Sequence, residues 1–224
     1  VVQGALGMLT VTWQLKPLIV SLHLIFGLTT LSLLWWLWLS LQSREQGGIR
    51  FGGGRSSAAS GYPAHEKSPR TLGALIIQIA LGGWTSSNYA AVACPDFPQC
   101  QQSWWPEMDY KDAFVLWRGL GVNYEGGVLE HPARVAIHFT HRLGALVATT
   151  ALGLAAVATL RWRNKRGRAR AAAYAVLVAL ALQLSIGISM VLEGFPLALA
   201  TAHNAGAALL LLATLALFRS LRTA

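Results

Sequence analysis

Three of the six histidines in this chain of 224 residues stand where the surrounding sequence is almost wholly apolar. His141 lies in HFTHRLGAL, residues 138–146, with His138 three positions before it and Arg142 directly after; His23 ends KPLIVSLH and His203 ends FPLALATAH. Counted from Pro17, Pro196 and Pro132, at the heads of three apolar runs, the imidazoles sit about 9–14 Å deep at a helical rise of 1.5 Å per residue. Ionisable groups at such depth in hydrocarbon are costly and mark function, although a single one is also explained as a hydrogen-bonded core residue. Imidazole ligates zinc, copper and haem iron. Zinc asks for three or four clustered protein ligands, and the apolar runs carry no Asp, Glu or Cys near this level. Haem asks only for two axial groups facing one another across a bundle, apolar walls, and small residues that admit the macrocycle. Gly144, Ala145, Gly187, Gly206 and Ala207 supply that room. The pattern therefore points to bis-histidine haem between His141 and His203, with His23 facing a partner on a segment preceding Val1.

Two neighbours of this set have open roles. Arg142 either pairs with the haem propionates through a forked guanidinium or snorkels to the lipid headgroups. His138, one turn from His141 on the same helical face, hydrogen-bonds a propionate, relays protons, or replaces His141 as ligand, with His141 preferred. His131 and His65 read as surface residues in loops.

The elements that must position these groups are membrane helices. The composition is 54% hydrophobic and 12% charged, with a mean hydropathy of +0.46 and nine tryptophans, far from soluble averages. Runs long enough to cross about 30 Å of hydrocarbon cover 18–40, 71–93, 132–160, 171–192 and 197–218. A further apolar segment runs from Val1 to about Trp13 without a signal-peptide pattern, so the chain reads as a fragment whose N-terminus is missing.

Basic residues orient the spans. Arg44, Arg50, Arg55, Lys67 and Arg70, the cluster Arg161 to Arg170, and Arg219 with Arg222 hold most of the 18 basic residues and face the cytoplasm by the positive-inside rule. Loop 94–131, with six acids against Lys111 and Arg118, falls outside. The net charge of +9 thus follows from topology and contact with anionic lipid, with no nucleic-acid partner. Segment 42–70, rich in Gly and Ser, is expected to be a cytoplasmic linker. In ACPDFPQC, Cys94 and Cys100 lie on the oxidising side with two prolines between them, which favours a disulfide over a metal pair or free thiols. Trp84, Trp104 and Trp105 flank the loop at headgroup level.

The chain also repeats itself. Gln3, Gly7 and His23 recur as Gln183, Gly187 and His203, each displaced by 180 residues, with Pro17 and Pro196 in the intervening turns. Duplications of this kind are frequent in membrane folds. The expected class is all-α: a polytopic membrane protein of tandem four-helix bundles, the first incomplete. Residues 1–41 are a remnant of the first bundle, and residues 71–224 form the second.

QIALGGWTSSNYAAVACPDFPQC, IHFTHRLGAL and QLSIG with FPLALATAHN together resemble the haem A synthases of the CtaA type, over nearly the whole chain outside the linker. The resemblance implies eight spans in two halves. It implies a cofactor haem b held by residues matching His141 and His203, and haem O bound as substrate in the first half with His23 among its ligands. It implies oxidation of the haem C8 methyl group to formyl by successive hydroxylations, giving haem A for cytochrome oxidase, and an outer cysteine pair matching Cys94 and Cys100. Implied surroundings are the lipid bilayer of a bacterial plasma (inner) membrane, haem O synthase, cytochrome oxidase assembly factors and an unidentified electron donor. The family's catalytic glutamate lies on a first-half helix and is expected in the missing N-terminal part; in the second half His138 occupies the corresponding position, so no acid carries over onto this chain and turnover is expected to need further spans. The competing readings are a di-haem b-type electron-transfer cytochrome without haem modification, and a repeat-built transporter with His138 and His141 as proton relays.

Overall fold

The computed structural model describes residues 1–45, 63–162 and 167–222. Seven α-helices are found there: α1 (Val2–Thr12), α2 (Pro17–Glu45), α3 (Pro63–Ser87), the single turn α4 (Tyr110–Ala113), α5 (His131–Arg161), α6 (Gly167–Leu192) and α7 (Leu197–Arg222). Four of them are long and apolar enough to cross a membrane, over Pro17–Gln42, His131–Arg161, Gly167–Leu192 and Leu197–Arg222. The protein is an all-α, multi-pass membrane protein.

The expected span at 71–93 is corrected. Hydropathy carries on through Ala91–Ala93, but the helix stops at Ser87 and those three residues form a 3-10 turn. The cause is the polar run before it. Thr85, Ser86, Ser87 and Asn88 all turn their side chains back onto carbonyls of Leu81, Gly83 and Trp84, which competes with helical continuation, and Tyr89 follows at φ 54°. The helices also reach into both margins of 42–70: α2 runs to Glu45 and α3 opens at Pro63, while residues 46–62 lie outside the described residues. His65 accordingly falls within α3, and exposed His131 opens α5.

Packing contacts join α3 to α5, α5 to α6, α6 to α7 and α7 back to α3. These four close an antiparallel bundle in which α5 and α7 are diagonal partners. Helix α2 lies against α3 and α7 and carries α1 on its other side. Two apolar layers hold the bundle. Leu75, Leu152, Val176, Leu180, Leu211 and Leu215 fill its linker end; Trp84, Ala133, Ala136 and Ile137 fill the end that carries the long loop. Trp35 on α2 donates to the Leu212 carbonyl at 3.0 Å, fastening the outlying helix to the linker end of α7.

The internal repeat is visible in the backbone. Helix α1 ends with Trp13 N–H on Leu9 O, Gln14 N–H on Val11 O and Leu15 N–H on Thr10 O. Helix α6 ends with the same three bonds 180 residues on: Glu193 to Ser189, Gly194 to Val191, Phe195 to Met190. Gln14 and Leu15, at φ 49° and 60°, match Gly194 and Phe195 at 72° and 64°. The pattern occurs a third time at the end of α3, in Asn88 to Trp84, Tyr89 to Ser86 and Ala90 to Thr85. In each, a residue in the left-handed region lets the chain satisfy the last helical carbonyls and turn. The molecule thus contains three copies of one hairpin: α1–α2, α3–α5 and α6–α7.

Candidate functional site

Each hairpin brings the same three residues together, a glutamine, a histidine and a glycine. In α1–α2 the Gln3 carboxamide nitrogen lies 3.4 Å from His23 Nε2 and 3.0 Å from the His23 carbonyl. In α3–α5, Gln78 Nε2 stands 3.1 Å from His141 Nδ1 and 3.1 Å from the His141 carbonyl. In α6–α7, Gln183 Nε2 stands 3.2 Å from His203 Nε2. Four residues after each glutamine comes a glycine on which the histidine ring rests. A Cβ on Gly7, Gly82 or Gly187 would come within 3.1, 3.2 and 2.9 Å of the Cε1 of His23, His141 and His203. The fit is reciprocal in the two bundle hairpins. Gly144 and Gly206, three residues after their histidines, lie under the carboxamides of Gln78 and Gln183, and a Cβ on either would collide with the glutamine Oε1. The rings are therefore held by polar contact at one nitrogen and by the close approach of a glycine to Cε1.

His141 is on α5 and His203 on α7, the two helices on one diagonal of the bundle. At this level the bundle interior changes character. No residue is buried over 76–82 of α3, 139–147 of α5, 181–190 of α6 or 197–209 of α7, although each helix buries a stripe elsewhere along its length. A helix packed in a bundle should bury one side chain in every three or four. Here four helices omit that stripe around the two histidines. With the glycine faces and the buried, unpaired Nδ1 of His203, the residues present fit a flat, apolar, iron-bearing macrocycle better than side-chain packing. Among the described residues no three His, Cys, Asp or Glu side chains come together as a metal cluster.

Arg142 and His138 belong to a different structure. The Arg142 guanidinium donates to the carbonyls of Gln99 (2.7 Å), Cys94 (2.9 Å) and Asp96 (2.9 Å), and its Nε–H donates to His138 Nε2 at 3.2 Å. Of the five N–H groups on a guanidinium one is left, so Arg142 neither snorkels to headgroups nor offers a fork to a propionate. His138, 4% exposed, has its Nε2 engaged by Arg142 and its ring edge against Phe195, 6.2 Å between centroids. Its ring is thus engaged with Arg142 and with the turn between α6 and α7.

The loop that Arg142 grips is closed by Cys94 and Cys100, whose Cα atoms are 4.7 Å apart with the sulfurs in bonding contact, a separation disulfides span. Asp96 caps the far side of the loop, accepting the backbone N–H groups of Gln101 and Gln102 at 2.8 Å each. Burial alone would raise the Asp96 pKa. The N–H bonds from Gln102, Gln101 and its own backbone, with the Arg142 charge, outweigh that and hold the carboxyl below its usual 3.8. Further along, buried Lys16, from the α1–α2 turn, donates to the Gly119 carbonyl and lies 3.1 Å from the centroid of Trp117. Tyr124 N–H adds a bond to the Gln14 carbonyl at 3.1 Å. One loop thereby ties the first hairpin to the bundle.

Reasoning from the sequence alone misses Gln78 and Gly82. Their signal is present, since QGALG at 3–7 and QIALG at 78–82 differ at one residue. What hides it is the distance to the histidine: 20 residues in the first and third hairpins, 63 in the second, where the long loop is inserted into the turn.

Comparison with known proteins gives two results. The family model described as cytochrome oxidase assembly protein, COX15-CtaA, matches residues 1–215. The chain is also similar to the curated Heme A synthase of Shewanella oneidensis, 38% identical over 213 residues, which is 94% of this chain and 60% of that relative. The chain thus spans under two thirds of the length of the relative it matches.

Proposed function

The chain belongs to the COX15-CtaA family of cytochrome oxidase assembly proteins, and from that premise we propose that it is the haem-binding part of a haem A synthase. Its substrate is haem O, whose C8 methyl group is oxidised to formyl by successive hydroxylations, yielding haem A for cytochrome oxidase. The four-helix unit α3, α5, α6 and α7 holds a haem b through His141 and His203; His23, in the first hairpin, is a ligand of the substrate haem. The observation that carries this reading is the run of unburied levels on four helices, centred on two imidazoles seated alike on diagonal helices.

The haem, when bound, supplies a one-electron relay toward the substrate. This chain's own residues bind and shield it. The glycines keep the histidine rings in one orientation, and the two apolar layers exclude water from both sides of the iron level. The Arg142-held loop, closed by a Cys94–Cys100 disulfide, roofs the site on the outer side. Segments 42–70 and 161–170 are cytoplasmic, and the membrane is the bacterial plasma membrane. An electron donor, haem O synthase and oxidase assembly factors are its expected partners.

The test is a reduced-minus-oxidised spectrum of the purified chain, with His141→Ala and His203→Ala alongside. A b-type band in the parent that is lost in both variants is the expected result. A band that survives either substitution removes the pairing. Pigment extraction from cells supplied with haem O and expressing the full-length protein then asks whether haem A accumulates.

A further inference from the structure

Resting on the assignment of His141 and His203 as the haem ligands, we propose that Arg142 is a positioning residue: held by the loop that Cys94 and Cys100 close, it fixes the two ligand hairpins against each other and so sets haem affinity. An arginine within a membrane bundle is costly unless its N–H groups are met. Here they are met in an uncommon way. Among the described residues no carboxylate lies within ion-pair distance of Arg142; the guanidinium donates instead to the carbonyls of Cys94, Asp96 and Gln99 and to the His138 ring. All three carbonyls belong to the ring of residues that the disulfide closes. Inside that ring Asp96 accepts the N–H groups of Gln101 and Gln102, which leaves the carbonyls turned to one side. An open chain would have to spend conformational entropy to bring residues 94, 96 and 99 to one point; the cross-link has removed much of that freedom beforehand.

The disulfide is too covered to act as an exchange site. Cys94 and Cys100 are 0% and 1% exposed and pack with Ala93 against Val135, with Phe139 alongside, whereas thiol exchange needs an attacking thiolate to reach a sulfur. The loop is built to stay closed, and the constraint it places on Arg142 reaches both ligands. His141 is the peptide neighbour of Arg142. His138, which accepts the Arg142 Nε–H at 3.2 Å, sets its ring edge on Phe195, in the turn that leads into α7 and His203. The glutamine and glycine contacts fix each ring within its own hairpin, while this chain of contacts runs between the hairpins. Two axial donors on separate hairpins hold one iron only while the hairpins keep their spacing, so a contact of this kind bears on both bonds.

The test uses the whole chain loaded with haem b, as Arg142→Lys, Arg142→Gln, the double variant Cys94→Ser with Cys100→Ser, and that double variant combined with Arg142→Gln. Arg118→Gln is the control, since Arg118 pairs with Asp112 in the same long loop at 2.6 Å and takes no part in the cradle. Haem titration and the spin state of the ferric band are read together. Affinity falls by about 10–100-fold in each variant of the cradle, the usual effect of losing a group that orients a ligand, and part of the band passes from low spin to the high spin of iron that has lost one imidazole. Lysine does not rescue, because a point ammonium cannot span the fork. A loop that acts through Arg142 leaves the combined variant within about twofold of its worse part, where independent sites would multiply. Arg118→Gln keeps the parental affinity. Parental affinity and spin state in the Arg142 variants, losses that multiply in the combined variant, or an equal loss in Arg118→Gln overturn the proposal, while the parental band sustains the ligand assignment. If the serine variants fail to fold, Arg142→Lys, which keeps both charge and disulfide, decides by its own affinity and spin state. A parent chain without a b-type band overturns the ligand assignment and this proposal with it.

Discussion

The interlock between Gln183 and Gly206 makes an unusual claim about one substitution, that its sign depends on a residue of another helix. In an open helical position, replacing glycine by alanine stabilises by about 0.5–1 kcal/mol, because alanine restricts the unfolded chain and favours helix. Gly153 on α5 is such a position, with nothing within 4 Å of an added Cβ. At Gly206 the Cβ would meet the Gln183 carboxamide and no other residue. Overpacking costs about 1–3 kcal/mol, so Gly206→Ala in the parent should be destabilising by up to about 2 kcal/mol after the helical gain is deducted. In a Gln183→Ala background the obstacle is gone, and the same change should stabilise by about 0.5–1 kcal/mol, as at Gly153. The two backgrounds therefore differ by about 1–3 kcal/mol, well above the few tenths within which independent sites add. Equilibrium unfolding of the haem-free protein in mixed micelles, on the four members of the cycle and Gly153→Ala, measures this without reference to iron. Equal effects of Gly206→Ala in the two backgrounds would refute the interlock.

Three further outcomes follow from the loop. Arg142→Lys cannot reproduce the fork over the carbonyls of Cys94, Asp96 and Gln99, so the Cys94 and Cys100 thiols should react with maleimide after milder reductant than in the parent, by about 10- to 150-fold in concentration if one charge-assisted bond of about 1.5–3 kcal/mol is lost. Asp96, held below its usual carboxyl range, contributes stability that is complete above its unfolded pKa, about 3.9, and is lost as pH falls through the lower folded value. Emission from the exposed Trp104 and Trp105 should hold steady from neutrality to about pH 4 and change below it, and Asp96→Asn should abolish that dependence. Lys16→Met removes the donor to Gly119 and the charge over Trp117; limited proteolysis between residues 115 and 127 should then accelerate, and an unchanged rate would mean that the Tyr124 bond to Gln14 holds the loop alone.

Much of this was legible in the sequence, for physical reasons. Hydropathy located the helices because lipid permits little else; it missed their polar extensions into the margins of 42–70, and it misplaced the end of α3, where side-chain hydroxyls override an apolar continuation at Ala91–Ala93. Constant spacing exposed the likeness of α1–α2 to α6–α7. The same rule concealed α3–α5, since an inserted loop changes the spacing while leaving the helix cap untouched. His141 and His203 stood out as imidazoles in hydrocarbon. Arg142 could not be placed, because its partners are backbone carbonyls 43 to 48 residues away, and a carbonyl leaves no mark in the residue alphabet.

The self-contained cap at the end of each first helix has a practical corollary. Its three bonds are complete before the chain leaves the helix, and in the second hairpin a whole domain-like excursion departs from that point and returns with its imidazole seated as in the others. The junction between Phe195 and Pro196, just past the last cap bond, is thus a natural docking port for grafted sequence: an epitope, a fluorophore carrier or a tether inserted there should leave His203 in register, giving a handle on the proposed haem site without touching it.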